Sequence, residues 1–278
     1  MKSMSRRCFG NKKFIFSTVV LVPILLLALL GPAIAPHDPL EMDTRNRFAE
    51  SSSDYPMGTD EYGRCIFSRL LYGIRPSLQV ALTGTFLAFA AGSALGIVAG
   101  YTGGKLGAAI MRAMEAVLCF PSILLAMAVV ALWGAGVQNL IVVVAILYTP
   151  HFARIAGAST LKVSHMEYVE SEISIGARTP RVLGRIVFPN VLSPLIIQVS
   201  LTVSSAILLE SGLSFLGLGV QPPQPSWGQM IGDARAFLTV NAMYIFWPSL
   251  FLCLTILAVN LMGDALRDIL DPKLKESF

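Results

Sequence analysis

Charge is what this sequence has least of. Asp, Glu, Lys and Arg make up 14% of its 278 residues, against roughly 25% in an average soluble domain. So few charges cannot clothe a water-facing surface, and the 54% hydrophobic content points to the bilayer. The net charge of +4 comes without a basic patch interleaved with aromatics, which excludes a nucleic-acid binder. Histidine is scarce: His37, His151 and His165 stand far apart. The four cysteines, Cys8, Cys65, Cys119 and Cys253, form no C-x-x-C pair, so no metal site is expected. Cys119 and Cys253 lie in apolar runs and are expected as small buried hydrophobes. Neither a Ser/His/Asp set nor a carboxylate pair stands out, so no catalytic residue is expected. The stretch Gly100–Lys105 hints at a phosphate loop. It is one residue short before its Gly-Lys, has Leu106 where Ser or Thr belongs, and follows no strand, so the chain is not expected to bind ATP itself.

Long apolar runs are what it does have. A span needs about 20 residues to cross the hydrocarbon, and six segments qualify: Phe14–Ala35, Leu78–Tyr101, Ala108–Trp133, Asn139–Ala158, Val191–Phe215 and Ala242–Met262. The first imitates a secretion signal, with a basic start, an A-x-A site at Ala33–Ala35, and a twin-arginine look over Ser5–Phe9. Its apolar run exceeds the roughly 7–15 residues of a signal core, and Pro36 would follow the cut, so a retained anchor is expected. Orientation follows from the loops, because cytoplasmic ones carry the excess of Lys and Arg. With both termini cytoplasmic, fifteen of the 21 Lys and Arg fall inside. The expected organisation is a cytoplasmic N-terminus over 1–13, a first membrane helix over 14–35, an external loop over 36–77, a membrane core over 78–265 and a cytoplasmic tail over 266–278. The core contains the longest cytoplasmic loop, 159–190, and a Pro/Gly-rich external segment, 216–241.

The 159–190 loop has the sequence of two short helices. Ser164 and Glu167 have capping-box spacing. Gly176 can turn left-handed and stop the first helix. Thr179 and Pro180 fit an N-cap followed by Pro at the first helical position, and Val182, Leu183, Ile186 and Val187 give the second helix an apolar face. Such a knob suits docking into a groove on another protein, or equally an interfacial helix on lipid headgroups.

Four stretches resemble one known family. Glu170, Gly176, Ile186 and Pro189 match the spacing of the E-A-A-x3-G-x9-I-x-L-P motif of ABC importer permeases, with Ser171 and Glu172 in place of the alanines and Phe188 in place of the leucine. The segment from Pro56 through Gly58, Asp60, Gly63 and Arg64 to Arg69 resembles P-L-G-T-D-x-x-G-R-D-x-x-S-R of peptide and nickel permeases, with Cys65 replacing an aspartate. Leu213–Gly219 with Pro225–Gly228, and Asn260–Pro272, resemble two further segments of those permeases. The resemblance runs from about residue 56 to 272, and its type is the C-type partner of two unlike permeases.

The resemblance implies an all-α, type I importer permease of six helices in a bacterial inner membrane. It also implies as partners a second, unlike permease, two cytoplasmic ATPase subunits that bind the ATP, an extracytoplasmic substrate-binding protein and membrane lipid. Glu170, Gly176, Ile186 and Pro189 would then couple to the ATPase. The cargo stays open between peptides and nickel or a metal chelate. A membrane-embedded enzyme and a channel uncoupled from ATP are the rivals from other classes.

Polar residues inside spans are the other candidates. A charge at Glu210 costs about 2.5–3.5 kcal/mol on insertion scales, so it must face protein or water. With Gln198 and Ser204 in the same span and Asn260 in the sixth, it reads either as part of a pathway or gate, or as helix-to-helix hydrogen bonding. Gly58, Asp60, Arg64, Gln224 and Trp227 fall on the external side, where they read as contacts for a binding protein or as plain turns.

Overall fold

The computed structural model describes residues 10–270. Cys8, the Ser5–Phe9 stretch and the closing Asp271 and Pro272 of the last motif lie outside the described residues. Nine helices follow one another among these: α1 (Lys12–Ile34), α2 (Ile66–Thr102), α3 (Gly104–Leu118), α4 (Ser122–Trp133), α5 (Val137–Ser164), α6 (Glu167–Ser174), α7 (Thr179–Phe215), α8 (Trp227–Ala234) and α9 (Ala242–Leu270). No strands occur among the described residues. Five helices are long and apolar enough to cross a membrane: α1, α2, α5, α7 and α9. The pair α3 and α4, bent by 89°, makes a sixth crossing when counted as one.

Small residues organise the centre. Gly84, Ala88, Gly92, Gly96 and Gly100 recur every fourth position, on one face of α2. That face lies on α5, running in the same direction, at Val144, Phe152, Ala156 and Gly157. A Cβ at Gly96 would sit 2.7 Å from that of Ala156, so the two backbones meet with no room for a side chain. In lipid, where tails are as apolar as leucine, such close packing is what associates helices.

α1 is pinned at both ends. Asn11 caps its start, accepting from the Lys13 amide at 2.9 Å, and Lys13 pairs with Asp268 of α9 at 3.2 Å. Near its end Pro32 has no N–H to give the Ala28 carbonyl. Arg75 of α2 fills that vacancy, donating from Nε to Ala28 O at 2.7 Å and from Nη2 to Leu29 O at 2.9 Å.

Several boundaries differ from the sequence expectation. α2 begins at Ile66, not Leu78, so the external loop stops before 66 rather than at 77. Arg69, Arg75 and Pro76 dilute the apolar run there, yet Arg69 is fully buried and Arg75 is spent on α1. The third span is not one helix over Ala108–Trp133. Pro121, with no N–H and with its ring against the preceding residue, ends α3 and starts α4. The second helix of the 159–190 loop is not separate either: it continues into the fifth span as α7, through a π-turn at Leu183–Val187 just ahead of Pro189. Cys119 and Cys253 are exposed, not buried. In a membrane protein an apolar run can face lipid as well as core, and hydropathy does not tell the two apart.

Candidate functional site

Two ends of the bundle carry the candidate residues. At one end α5 hands over to α6. The capping box does not form: the Ser164 hydroxyl donates to Leu161 O at 3.1 Å, and α6 starts after Met166 with no side-chain cap. Thr179 is likewise one position inside α7, whose cap is Arg178. The glycine turn does form. Gly176 has φ +90°, its amide donates to Ile173 O at 3.0 Å, and the Ala177 amide donates to Glu172 O at 3.0 Å. That pair of bonds is a Schellman closure, which satisfies the last carbonyls of α6.

Buried Val169, Val182 and Val187 hold this knob to Phe152, Ala156, Val163 and Leu195. Among the described residues nothing covers the apolar part of its outer side. Tyr168 and Ile173 are 45% exposed and Ile175 80%. Glu170 and Gly176 are exposed, Ile186 is half-buried in the π-turn, and Pro189 is exposed one turn further. Glu167, Glu170 and Glu172 form no ion pair among the described residues. The four motif residues thus fall on one helix–turn–helix projection.

The opposite end carries the segment 36–65, the start of α2, the 216–226 loop and α8. Asp60 is fully buried and holds two arginines, Arg64 Nε at 2.6 Å and Arg69 Nε at 3.5 Å. Glu61 pairs with Arg64 at 3.3 Å. Phe48 tilts onto Phe237 with centroids 5.1 Å apart, closing the segment over the turn between α8 and α9. Burial, with Glu61 alongside, pushes the Asp233 carboxyl of α8 above its usual range. Asp60 and Arg64 therefore have no surface to offer a partner. Gly58, at φ +75°, is the turn that lets this network close. Trp227 is also fully buried, its indole N–H donating to Leu70 O at 3.2 Å. Of the five external candidates only Gln224 is exposed, and it borders a cavity of about 390 Å³ with Tyr72, Arg75, Gln79 and Gln138. Turn residues read as surface features from sequence are internal here because their charges pair with each other.

The polar residues of the spans also turn inward. Ser204 Oγ donates to Asn260 Oδ1 at 2.6 Å, tying α7 to α9. Gln198 donates to Thr202 Oγ1 one turn along at 3.1 Å. Glu210 is fully buried near the C-terminal end of α7, receiving the Ser214 hydroxyl at 2.7 Å. Ser204 and Glu210 are buried and Asn260 is half-buried. A charge that cannot face lipid found serine hydroxyls instead. The residues missed were Arg69, Arg75 and the glycine stripe. The stripe alone left a signal, its four-residue spacing.

Five apolar helices long enough to cross a membrane, a bent pair that makes a sixth crossing when counted as one, and a projecting turn at one end are the build of a multi-pass membrane protein. The chain belongs to the binding-protein-dependent transport system inner membrane components, whose family model matches residues 92–276. A second family model, the N-terminal TM domain of oligopeptide transport permease C, matches residues 1–50. The chain is 39% identical over 273 residues to a di/tripeptide transport system permease protein of Pseudomonas aeruginosa, covering 96% of this chain and 90% of that one. It is 40% identical over 253 residues to a glutathione transport system permease protein of Pectobacterium atrosepticum, covering 91% and 84%. The fold matches a chain of the MetNI methionine ABC transporter in an inward-facing conformation, with TM-score 0.60 and 19% identity over 72% of this chain and 95% of that one. This is a multi-pass inner-membrane permease of an ABC importer, not an enzyme, and its family works with an ATPase and a substrate-binding protein.

Proposed function

We propose that the chain is the C-type half of an importer for di- and oligopeptides, paired with a second, unlike permease and two ATPase subunits that bind the ATP. Both termini and the knob face the cytoplasm, and the 36–65 segment and 216–226 loop face outward. The observation that carries the coupling role is the knob itself: Tyr168, Ile173 and Ile175 stand exposed around a rigid Gly176 turn while Val169, Val182 and Val187 root it in the bundle. A helix that lay on lipid would favour Lys and Arg on its polar face. α6 has neither, and carries three glutamates. An ATPase groove fits better. Closure of the ATPases would push on Glu170, Gly176, Ile186 and Pro189, and α7, continuous from Thr179 to Phe215, would carry the displacement across the membrane.

Peptide cargo is favoured over nickel because the relatives are named for di/tripeptides, dipeptides, peptides and glutathione. Deleting the chain's gene should abolish uptake of a tritiated dipeptide and leave nickel-63 uptake unchanged. Loss of nickel uptake with dipeptide uptake intact would overturn the cargo. For the coupling role, a photo-cross-linker at Ile175 should capture the ATPase subunit. Capture of lipid alone would place the knob on the bilayer.

A further inference from the structure

The 216–226 loop has an exposed tip, from Gln221 to Gln224, on a foundation without freedom. Beneath it lies Glu210, fully buried. Its Oε1 receives the Ser214 hydroxyl at 2.7 Å and its Oε2 that of Ser211 at 3.4 Å. The Ser214 oxygen in turn accepts the Val220 amide at 3.1 Å. A hydroxyl that donates one way and accepts the other is a relay, and this one links a carboxylate inside α7 to the backbone beyond the Gly217 turn. Gly219 lies directly on Ser214, with no room for a Cβ. The hydroxyl of Ser77 on α2, also buried, lies toward the same carboxylate. Past the tip, Ser226 accepts the Gln229 amide at 3.3 Å, and Trp227 is bonded to Leu70 O.

We propose that Glu210 is a positioning residue for the outer loop: through Ser214 and Val220 it holds the tip at one height and angle. The role needs an acceptor at Oε1, not a charge. What the tip then meets rests on the outward orientation and binding-protein contact read above, but the relay itself does not.

Hydrogen exchange on the purified permease complex tests it, together with a nitroxide label at Gln224→Cys in a variant lacking the native cysteines. Glu210→Ala should speed exchange of the Val220 amide about tenfold, because the Ser214 hydroxyl, without the acceptor that orients it, no longer holds its lone pair toward that amide. It should also loosen the label. Amides of α6 and of Gly84–Gly100 should keep wild-type protection. Ser214→Ala should do the same, and serves if Glu210→Ala disturbs the whole fold. Glu210→Gln, which keeps the acceptor, should restore wild-type exchange and label mobility. Loosening by Gln equal to that by Ala, or unchanged exchange in both Ala variants, would overturn the proposal. Separate capture of the binding protein at Gln224 reports on the orientation, so the two readings can fail independently.

Discussion

Asp60 meets Arg64 and Arg69 away from the surface, its own side chain at 0% exposure and theirs at 7% and 1%. Buried charges hold only as a set, because each is costly without its partner. Asp60→Ala should therefore destabilise this end of the bundle by about 3–5 kcal/mol, leaving Arg69 without a counter-charge and Arg64 with Glu61 alone. Thermal unfolding in detergent would measure the loss, and tryptic cleavage between residues 36 and 65 would locate it. Gly176 tests a different cost. Nothing lies within 4 Å of where its Cβ would be, so only its φ of +90° objects to a side chain. Gly176→Val should strain the turn by about 1–3 kcal/mol. Membrane levels should stay normal while binding-protein-stimulated ATP hydrolysis and transport are lost. Asn tolerates positive φ better, so Gly176→Asn should keep most of both. Full transport by the Val variant would show that this turn transmits nothing.

Helices in this chain are held by what their neighbours supply. The Ala28 carbonyl lacks a helical donor because residue 32 is proline, and Arg75 provides one. Arg75→Met should thus weaken α1 docking by about 1–2 kcal/mol, and Pro32→Ala should recover part of that by returning the missing N–H. The pair should be non-additive in a double-mutant cycle on thermal stability. Additive effects would mean that Arg75 acts elsewhere. Elsewhere on α2, Gly96→Leu would drive a side chain into the α5 backbone at Ala153 and the Cβ of Ala156. Overpacking of this kind costs about 1–3 kcal/mol or more, so a lowered melting point and a shift toward aggregate on size exclusion are expected.

Across the whole molecule the ends are distinguishable. Lys13 at the start of α1 meets Asp268 near the end of α9, so the first and last helices begin and finish on one side, the side of the knob. Exposed as it is, that pair adds little stability, but it marks the parity of the crossings. In a variant stripped of its native cysteines, Ser53→Cys should react with an impermeant thiol reagent in intact cells, and Ser171→Cys only after permeabilisation. The reverse pattern would invert the map and remove the knob from the cytoplasm.

The membrane class, the number of crossings, the glycine turn of the knob and the family resemblance were legible from composition, run length and motif spacing. Each depends on local properties: how apolar a stretch is and where backbone sterics demand glycine. The destination of the polar residues was not legible. Asp60, Arg64 and Trp227 looked like an outward surface until the pairing of Asp60 with Arg64 and Arg69, and of Trp227 with Leu70 O, placed them inside. Cys119 and Cys253 looked buried until the fold turned their helices outward. Ser204 and Asn260, 56 residues apart, met only when α7 and α9 packed. Whether a buried charge or hydroxyl is satisfied depends on what a distant segment brings to it, and that is settled by packing, after the helices themselves are determined.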